Sequence, residues 1–152
     1  MAVYMKFTGQ KSGWIKGEAT AKDVVDFITL NSLELGLGHP MDAQSGLTTG
    51  RQVVRPIVVT KAVDKSSPLL MNSCSVNESA TTVHFTYTRT GINGTVNTFL
   101  TVVLKNALIA DFNHLALADG SSVEKLTLSF TSLDFTWTDG GVMASIDAIA
   151  PT

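Results

Sequence analysis

Hydrophobic and polar residues alternate along most of the chain, and a period of two is typical of half-buried β-strands. Val83, Phe85 and Tyr87 give one clear case, because His84 and Thr86 separate them. Further strands are predicted over residues 3–7, 13–17, 27–37, 57–63 and 99–109, and over 126–137. The segment 57–63 is apolar enough to be buried on both faces. The pattern therefore predicts about seven or eight strands.

Two local signals predict how the C-terminal strands are shaped. Asn93-Gly94 is a strong hairpin signal, because both residues tolerate a positive φ angle. The hydrophobic parity changes at Thr131-Ser132, and a slip of one residue predicts a β-bulge where a long strand bends over a barrel wall. The apolar residues on either side of this change are Leu126, Leu128 and Phe130, then Leu133, Phe135 and Trp137.

One short helix is predicted over about residues 68–76. Ser67 is a suitable N-cap and Pro68 suits the first helical position, where its missing N–H has no consequence. Two or three turns are too short to be stable alone, so the side that carries Leu70 and Cys74 must pack on the sheet. The whole chain, residues 1–152, is therefore predicted to be a mainly β, single-domain β-barrel with one short flanking α-helix.

The segment 36–50 has no hydrophobic period. Glycines recur through it together with Pro40, and loops of this length are usually functional or disordered. We therefore predict a long protruding loop at 36–50.

Composition narrows the functional classes. Charged residues make up 16% of the 152 residues, against roughly 25% in an ordinary soluble domain. This deficit predicts surface that is covered by something other than solvent, and a net charge of −2 argues against binding to nucleic acid. Apolar runs such as 100–104 fall far short of the ~20 residues of a membrane span. The N-terminus lacks the pattern of a signal peptide, so we expect a cytosolic protein as synthesised.

No set of side chains predicts catalysis, a metal site or a cofactor. The three histidines lack ligand spacing, and Asp23 and Asp26 are best interpreted as surface carboxylates. Cys74 excludes an internal disulfide because it is the only cysteine, and we interpret it as a small buried hydrophobe. Trp14 could stack on a sugar or a base, whereas the parity of Trp137 favours a core position. The chain is thus expected to have a binding or structural role and not to be an enzyme. The histidines are His39, His84 and His114.

Several segments together resemble one known family. Thr60-Lys61-Ala62-Val63-Asp64-Lys65-Ser66-Ser67-Pro68 resembles the strand-into-helix signature of Hcp, the hemolysin-coregulated tube protein of bacterial type VI secretion systems. Residues 2–7, 13–15, 99–109 and 124–140 are similar to other strands of that family, so the resemblance covers nearly the whole chain. The sequence departs from the family pattern at 18–26, which is not the short linker expected there, and again after Asp139.

The resemblance implies an assembly. Its protomers form hexameric rings that stack into a tube, which a contractile sheath expels with a VgrG spike at the tip and secreted effectors in the lumen. The expected partners are thus other copies of the chain, the spike, the sheath and effectors, with no nucleic acid and no membrane insertion. The expected location is cytoplasmic before firing and extracellular afterwards, without a signal peptide.

An exposed strand edge could supply the ring contact by strand addition, and the loop 36–50 is expected to reach an adjacent ring or subunit. Two alternatives stay open: the tube protein of a phage tail or related contractile injection particle, and a small-ligand or carbohydrate-binding β-barrel module. An enzyme is the least favoured class. The residues predicted to make subunit or ring contacts are Leu37, His39, Pro40, Met41, Asp42, Leu47 and Arg51.

Overall fold

A computed structural model of the protein describes residues 1–40, 44–47 and 52–147. These residues form twelve strands and one helix, which confirms the prediction of a mainly β protein with one short helix. In chain order the elements are β1 (Ala2–Gly9), β2 (Gly13–Ile15), β3 (Ile28–Leu30), β4 (Ser32–Glu34), β5 (Leu37–Gly38), β6 (Val53–Val54), β7 (Ile57–Lys61), α1 (Ser67–Ser75), β8 (Ala80–Thr90), β9 (Val96–Ala116), β10 (Ser122–Ser129), β11 (Ser132–Trp137) and β12 (Val142–Asp147).

The strands form two layers that share β9. In the first layer, which we call the wide sheet, β2 and β3 lie side by side on one edge of β1, and β8, β9, β11 and β12 follow in that order. In the second layer, which we call the narrow sheet, β9 is followed by β10, β7 and β4. All of these ladders are antiparallel. β5 and β6 form a separate two-stranded ladder at the base of the loop 36–50.

The two layers are possible because β9 is 21 residues long and changes partner midway. Its first half pairs with β8 and β11, and residues 108–116 pair with β10. At this change Asn106 has a φ of 51°, a left-handed conformation that few non-glycine residues adopt. On the facing side, the β-bulge predicted at Thr131-Ser132 is instead a break between β10 and β11, where the Thr131 N–H donates to the Lys105 carbonyl at 3.1 Å. The register shift in this region lies at Thr127-Leu128, in the ladder of β10 with β9.

The sheet of described strands is not closed into a barrel, so the expectation of closure is corrected. The single strand predicted over 27–37 was also wrong. This segment divides at Asn31, because β3 pairs with β1 in the wide sheet whereas β4 pairs with β7 in the narrow one. The Asn31 N–H donates to the Thr60 carbonyl at 2.7 Å, so the chain crosses between the layers at that residue.

The hydrophobic core lies between the layers. Phe7, Phe85 and Leu104 face it from the wide sheet, and Ile57 and Leu126 face it from the narrow one; each of them is fully buried. The face of β7 that carries Val58 and Thr60 is only half-buried, so burial on both faces was wrong for this strand.

Helix α1 has nearly the predicted bounds, and it packs as predicted. Leu70 is fully buried, and Cys74 is half-buried against the core. The N-cap is Ser66, without a side-chain capping bond, and not Ser67 as expected. The reason is that the Ser67 hydroxyl is engaged in a buried cluster described below. The expected core position of Trp137 was also wrong, because this ring is 38% exposed at the end of β11.

The packing of α1 gives a first prediction. Leu70→Ala should lower the free energy of unfolding by about 2–5 kcal/mol, because it leaves a cavity between the helix and the sheets. Leu69→Ala is the matched control, since Leu69 is half exposed on the same helix. Urea denaturation followed by circular dichroism measures both variants. If Leu70→Ala and Leu69→Ala lowered the free energy of unfolding equally, the orientation of the helix that buries Leu70 would be contradicted.

Candidate subunit-contact surfaces

The signature residues 60–68 form a buried polar cluster that fixes the start of α1. Lys61 takes the third inward position of β7 after Ile57 and Val59, and it pairs across the strands with Glu124 of β10. Its Nζ lies 2.5 Å from Glu124 Oε1, and both residues are buried. A buried charge requires a partner of opposite sign, and here that partner lies 63 residues away in sequence.

Other side chains complete this cluster. The Ser67 hydroxyl donates to Glu124 Oε1 at 2.6 Å and accepts from the Asp64 N–H at 3.1 Å. Asp64 Oδ1 lies 3.2 Å from Lys61 Nζ, and the partly exposed His114 contacts Glu124 Oε2 at 2.9 Å. The cluster therefore joins β7, β9, β10 and the first residue of α1. The signature is explained by packing, since Lys61, Ser67 and Glu124 are buried against one another.

The pKa of Glu124 reflects these contacts. Burial raises the pKa, but hydrogen bonds from Lys61, Ser67 and His114, together with the charge of Lys61, outweigh it and hold the pKa below the ordinary value of 4.5. The folded state therefore favours the ionised form of the Glu124 carboxyl group.

A second carboxylate ties the turn after β1 to the segment after α1. Glu78 accepts hydrogen bonds from the Lys11 N–H, the Ser12 N–H and the Ser12 hydroxyl at 2.7–3.0 Å. The bonds from Ser12, followed by that from Lys11, lower the pKa of Glu78 against the effect of burial. Gly9 leaves the space that this carboxylate occupies.

The histidines do not come together. His84 lies on the outer face of the wide sheet beside Lys6, and burial followed by the charge of Lys6 lowers its pKa. His114 belongs to the buried cluster, and His39 lies at the base of the loop. In the described ranges, no group of three histidine, cysteine or acidic side chains is arranged to hold a metal ion. The one helix found there, α1, is too short to span a bilayer.

The base of the loop 36–50 is tied to the rest of the fold. Leu37 pairs with Val54 in the β5–β6 ladder, and the Arg55 N–H donates to the Gly36 carbonyl at 3.0 Å. The Arg55 guanidinium lies where a side chain at position 36 would stand, so glycine allows this contact. The loop therefore leaves the fold from a defined position.

The predicted contact residues that the structure describes lie at or beyond this base. Leu37 is 43% exposed and Leu47 is 68% exposed, and His39 and Pro40 are also exposed. Met41, Asp42 and Arg51 lie outside the described residues, so their predicted roles stay predictions.

An apolar cavity of about 260 Å³ adjoins the loop base, and no pattern in the sequence indicated it. It opens between the loop base and the hairpin of β11 and β12, and it exposes no polar surface. Phe135 is 37% exposed at this cavity although it shares the inward parity of Leu133. The lining residues are Leu35, Leu37, Val54, Leu133, Phe135, Ala144 and Ile146.

Strand β12 forms an open edge beside this cavity. Among the described strands it pairs only with β11, so its other side carries unpaired N–H and C=O groups. Val142 and Met143 are 69% and 60% exposed, and Asp147 is the one charged residue of the strand. Soluble proteins usually protect such edges with lysine, proline or bulges, so this edge is suited to pairing with another chain.

Comparisons with known proteins agree with the sequence resemblance. The model of the family described as "Type VI secretion system effector, Hcp" matches residues 4–137. The "Major exported protein" of Pseudomonas aeruginosa is 33% identical over 149 residues, which cover 89% of this chain and 87% of that protein.

Solved structures show the same fold. The Hcp1 protein from E. coli EAEC 042 has a TM-score of 0.89 at 22% identity, with 97% of this chain and 99% of that chain covered. The secreted protein Hcp3 from Pseudomonas aeruginosa has a TM-score of 0.77 at 27% identity, with 95% and 98% covered. These similarities define the class as a mainly β protein of type VI secretion systems. Within that class, the chain belongs to the Hcp family.

The buried cluster gives a prediction about stability and pH. Glu124→Gln should lower the free energy of unfolding by about 3–5 kcal/mol at pH 7, because it removes one partner of a buried ion pair. Since the pKa of Glu124 is lower in the folded state, its contribution is present above pH 4.5 and is lost as the pH falls through the folded value. The difference in the free energy of unfolding between Glu124→Gln and the natural protein should therefore become smaller at acidic pH.

Urea denaturation over a pH series measures this difference. Lys125→Gln serves as the control because Lys125 is the exposed neighbour of Glu124 on β10. The ionised state of Glu124 would be contradicted if the difference in the free energy of unfolding between this variant and the natural protein stayed constant down to pH 3.

Proposed function

We propose that the protein is the structural tube subunit of a type VI secretion system, with copies that form hexameric rings and rings that stack into a tube. The observation that carries the proposal is the open β12 edge beside an apolar cavity, in a chain of the Hcp family. An edge of this kind is completed by another polypeptide, and a second copy of the chain is always available.

The topology suits a ring. The wide sheet ends in β12 on one side and in β2 and β3 on the other, so its two edges differ. A contact between unlike edges is heterologous, and it generates a closed ring when the rotation per subunit closes. The low charge content supports such contacts, because the cores of interfaces are depleted in Lys, Glu and Asp.

The loop 36–50 is proposed to contact the adjacent ring. Its base is held by β5, β6 and Arg55, and it exposes Leu47 away from the core. Leu37, His39, Pro40, Met41, Asp42 and Arg51 are proposed to share this contact.

The remaining partners follow from the family. We propose that the sheath, the VgrG spike and secreted effectors contact the assembled tube, which resides in the cytoplasm until it is expelled. The proposal includes no catalytic role. The tube of a phage tail or related injection particle would use the same contacts.

A carbohydrate-binding module is less well supported. Lys6 and Lys16 lie over the Trp14 ring at 4.6 and 5.1 Å, and Arg89 lies 5.4 Å from the centre of the Trp137 ring. Cations therefore already occupy positions against the two rings that a sugar would need. A change in tryptophan fluorescence on titration with sugars would revive this alternative.

Assembly tests the main proposal directly. Size-exclusion chromatography with light scattering should give the mass of a hexamer, and negative-stain images should show rings. Met143→Lys should shift the mass to the monomer, because a lysine on an edge strand opposes pairing. Val76→Lys is the control, an exposed apolar residue outside the sheet. A natural protein that remains a monomer at every concentration would refute the proposal.

Deletion of residues 40–45 tests the loop separately. We expect rings of normal mass that no longer form tubes, because the loop is assigned to the contact between rings and not to the contact within one. Electron microscopy under conditions in which the natural protein forms tubes provides the measurement. Long tubes from the deletion variant would show that the loop has another role.

A further inference from the structure

The loop between β2 and β3 is a compact element that takes no part in the contacts proposed above. It corresponds to the segment 18–26, where the sequence departs from the family pattern. The Gly17 N–H donates to the Asp26 carbonyl at 2.7 Å, the Ala19 N–H to the Phe27 carbonyl at 3.0 Å, and the Asp26 N–H to the Ala19 carbonyl at 2.9 Å. A Cβ atom at Gly17 would lie 2.6 Å from the Ile28 Cα, so only glycine permits this close approach. The loop is therefore preorganised.

The backbone of this loop is strained around two valines. Asp23 and Asp26 have φ angles of 71° and 67°, in the left-handed region that non-glycine residues seldom occupy. Between them Val24 is fully buried, whereas Val25 is 54% exposed. Strain of this kind persists only where the surroundings enforce it, and it clusters at functional positions. Here its effect is to anchor one valine and to present the next one to solvent.

Val25 and the apolar cavity lie at opposite edges of the wide sheet. The loop joins β2 to β3, which form one edge, and the cavity lies behind β12, which forms the other. Within the described residues, each protomer thus carries an exposed valine on one side and an apolar cavity on the other. Two such features at different places on one surface make a heterologous contact between copies.

We propose that Val25 of one copy inserts into the cavity lined by Leu37, Phe135 and Ala144 of the next copy in the ring. This inference rests on the proposed ring. A second copy is the occupant because the cavity exposes no polar group and accepts an uncharged branched side chain, which every protomer supplies at its opposite edge. The contact adds an apolar anchor to strand pairing at β12, and the preorganised loop limits the entropy lost on association.

Val25→Asp tests the contribution of this contact to assembly. Because the side chain is exposed, the variant should keep the thermal midpoint of a monomer while its light-scattering mass falls from the hexamer to the monomer. Ile92→Asp is the matched control, an exposed apolar residue in the turn between β8 and β9, and it should keep the ring. Rings of normal mass from Val25→Asp would overturn the inference and leave the proposed function intact.

Disulfide trapping identifies the occupant. In a Cys74→Ser background, a chain with both Val25→Cys and Ala144→Cys should give a covalent ladder up to the hexamer after mild oxidation. The two positions lie at opposite edges of one sheet, and a ladder forms only when the disulfides join different copies. Each single-cysteine variant should stay monomeric on denaturing gels. Absence of the ladder in a preparation that forms rings would mean that another segment fills the cavity.

Discussion

The architecture depends on one strand that serves two sheets. β9 pairs with β8 and β11 over its first half and with β10 over its second, and the change occurs at the left-handed Asn106. Because this single strand is continuous, the two layers face each other at a fixed offset, with Phe85 and Leu104 on one side of the core and Leu126 on the other. The positions of α1, of the cavity and of the open edge all follow from that offset.

Among the described residues, most of the buried charge lies where the helix begins beside the narrow sheet, and Glu78 is the other buried charged residue. Lys61, Glu124 and Asp64 form a compact set with the Ser67 hydroxyl, and a set of this kind defines one arrangement of the helix more narrowly than apolar contacts alone would. The edges of the wide sheet are different in character, since β12 is mostly apolar and Val25 projects from the opposite edge. The chain thus separates the groups that stabilise the protomer from the groups that are available to other copies.

Local signals in the sequence predicted local structure well. The turn at Asn93-Gly94, the helix that buries Leu70 and the interruption near Thr131 were all visible in spacing and residue type. Contacts between distant segments were not visible. The partner of Lys61 lies 63 residues away, and the cavity combines side chains from both halves of the chain.

Particular errors have physical causes. The segment 27–37 has an uninterrupted apolar pattern, yet Asn31 divides it because its two parts pair in different layers. Strand β12 was missed because Val142, Met143 and Ala144 do not alternate in polarity, and a strand exposed on both faces needs no alternation. Trp137 follows the parity of Leu133, but β11 extends beyond the end of the core there. One signal was available: a lysine at the inward parity of β7 predicts a buried acidic partner.

The order of pairing along the chain has a consequence for how the protein is made. In the C-terminal half, β8 pairs with β9, β9 with β10 and β11 with β12. These strands are consecutive in sequence, so their ladders can form early as hairpins. The ladder between β1 and β8 instead joins residues 2–9 to 80–88, and that between β7 and β10 joins 57–61 to 124–128. Closing such long loops is entropically slow. During synthesis β1 and β7 therefore leave the ribosome before their partners β8 and β10. Their apolar faces stay exposed until those partner strands have also been synthesised.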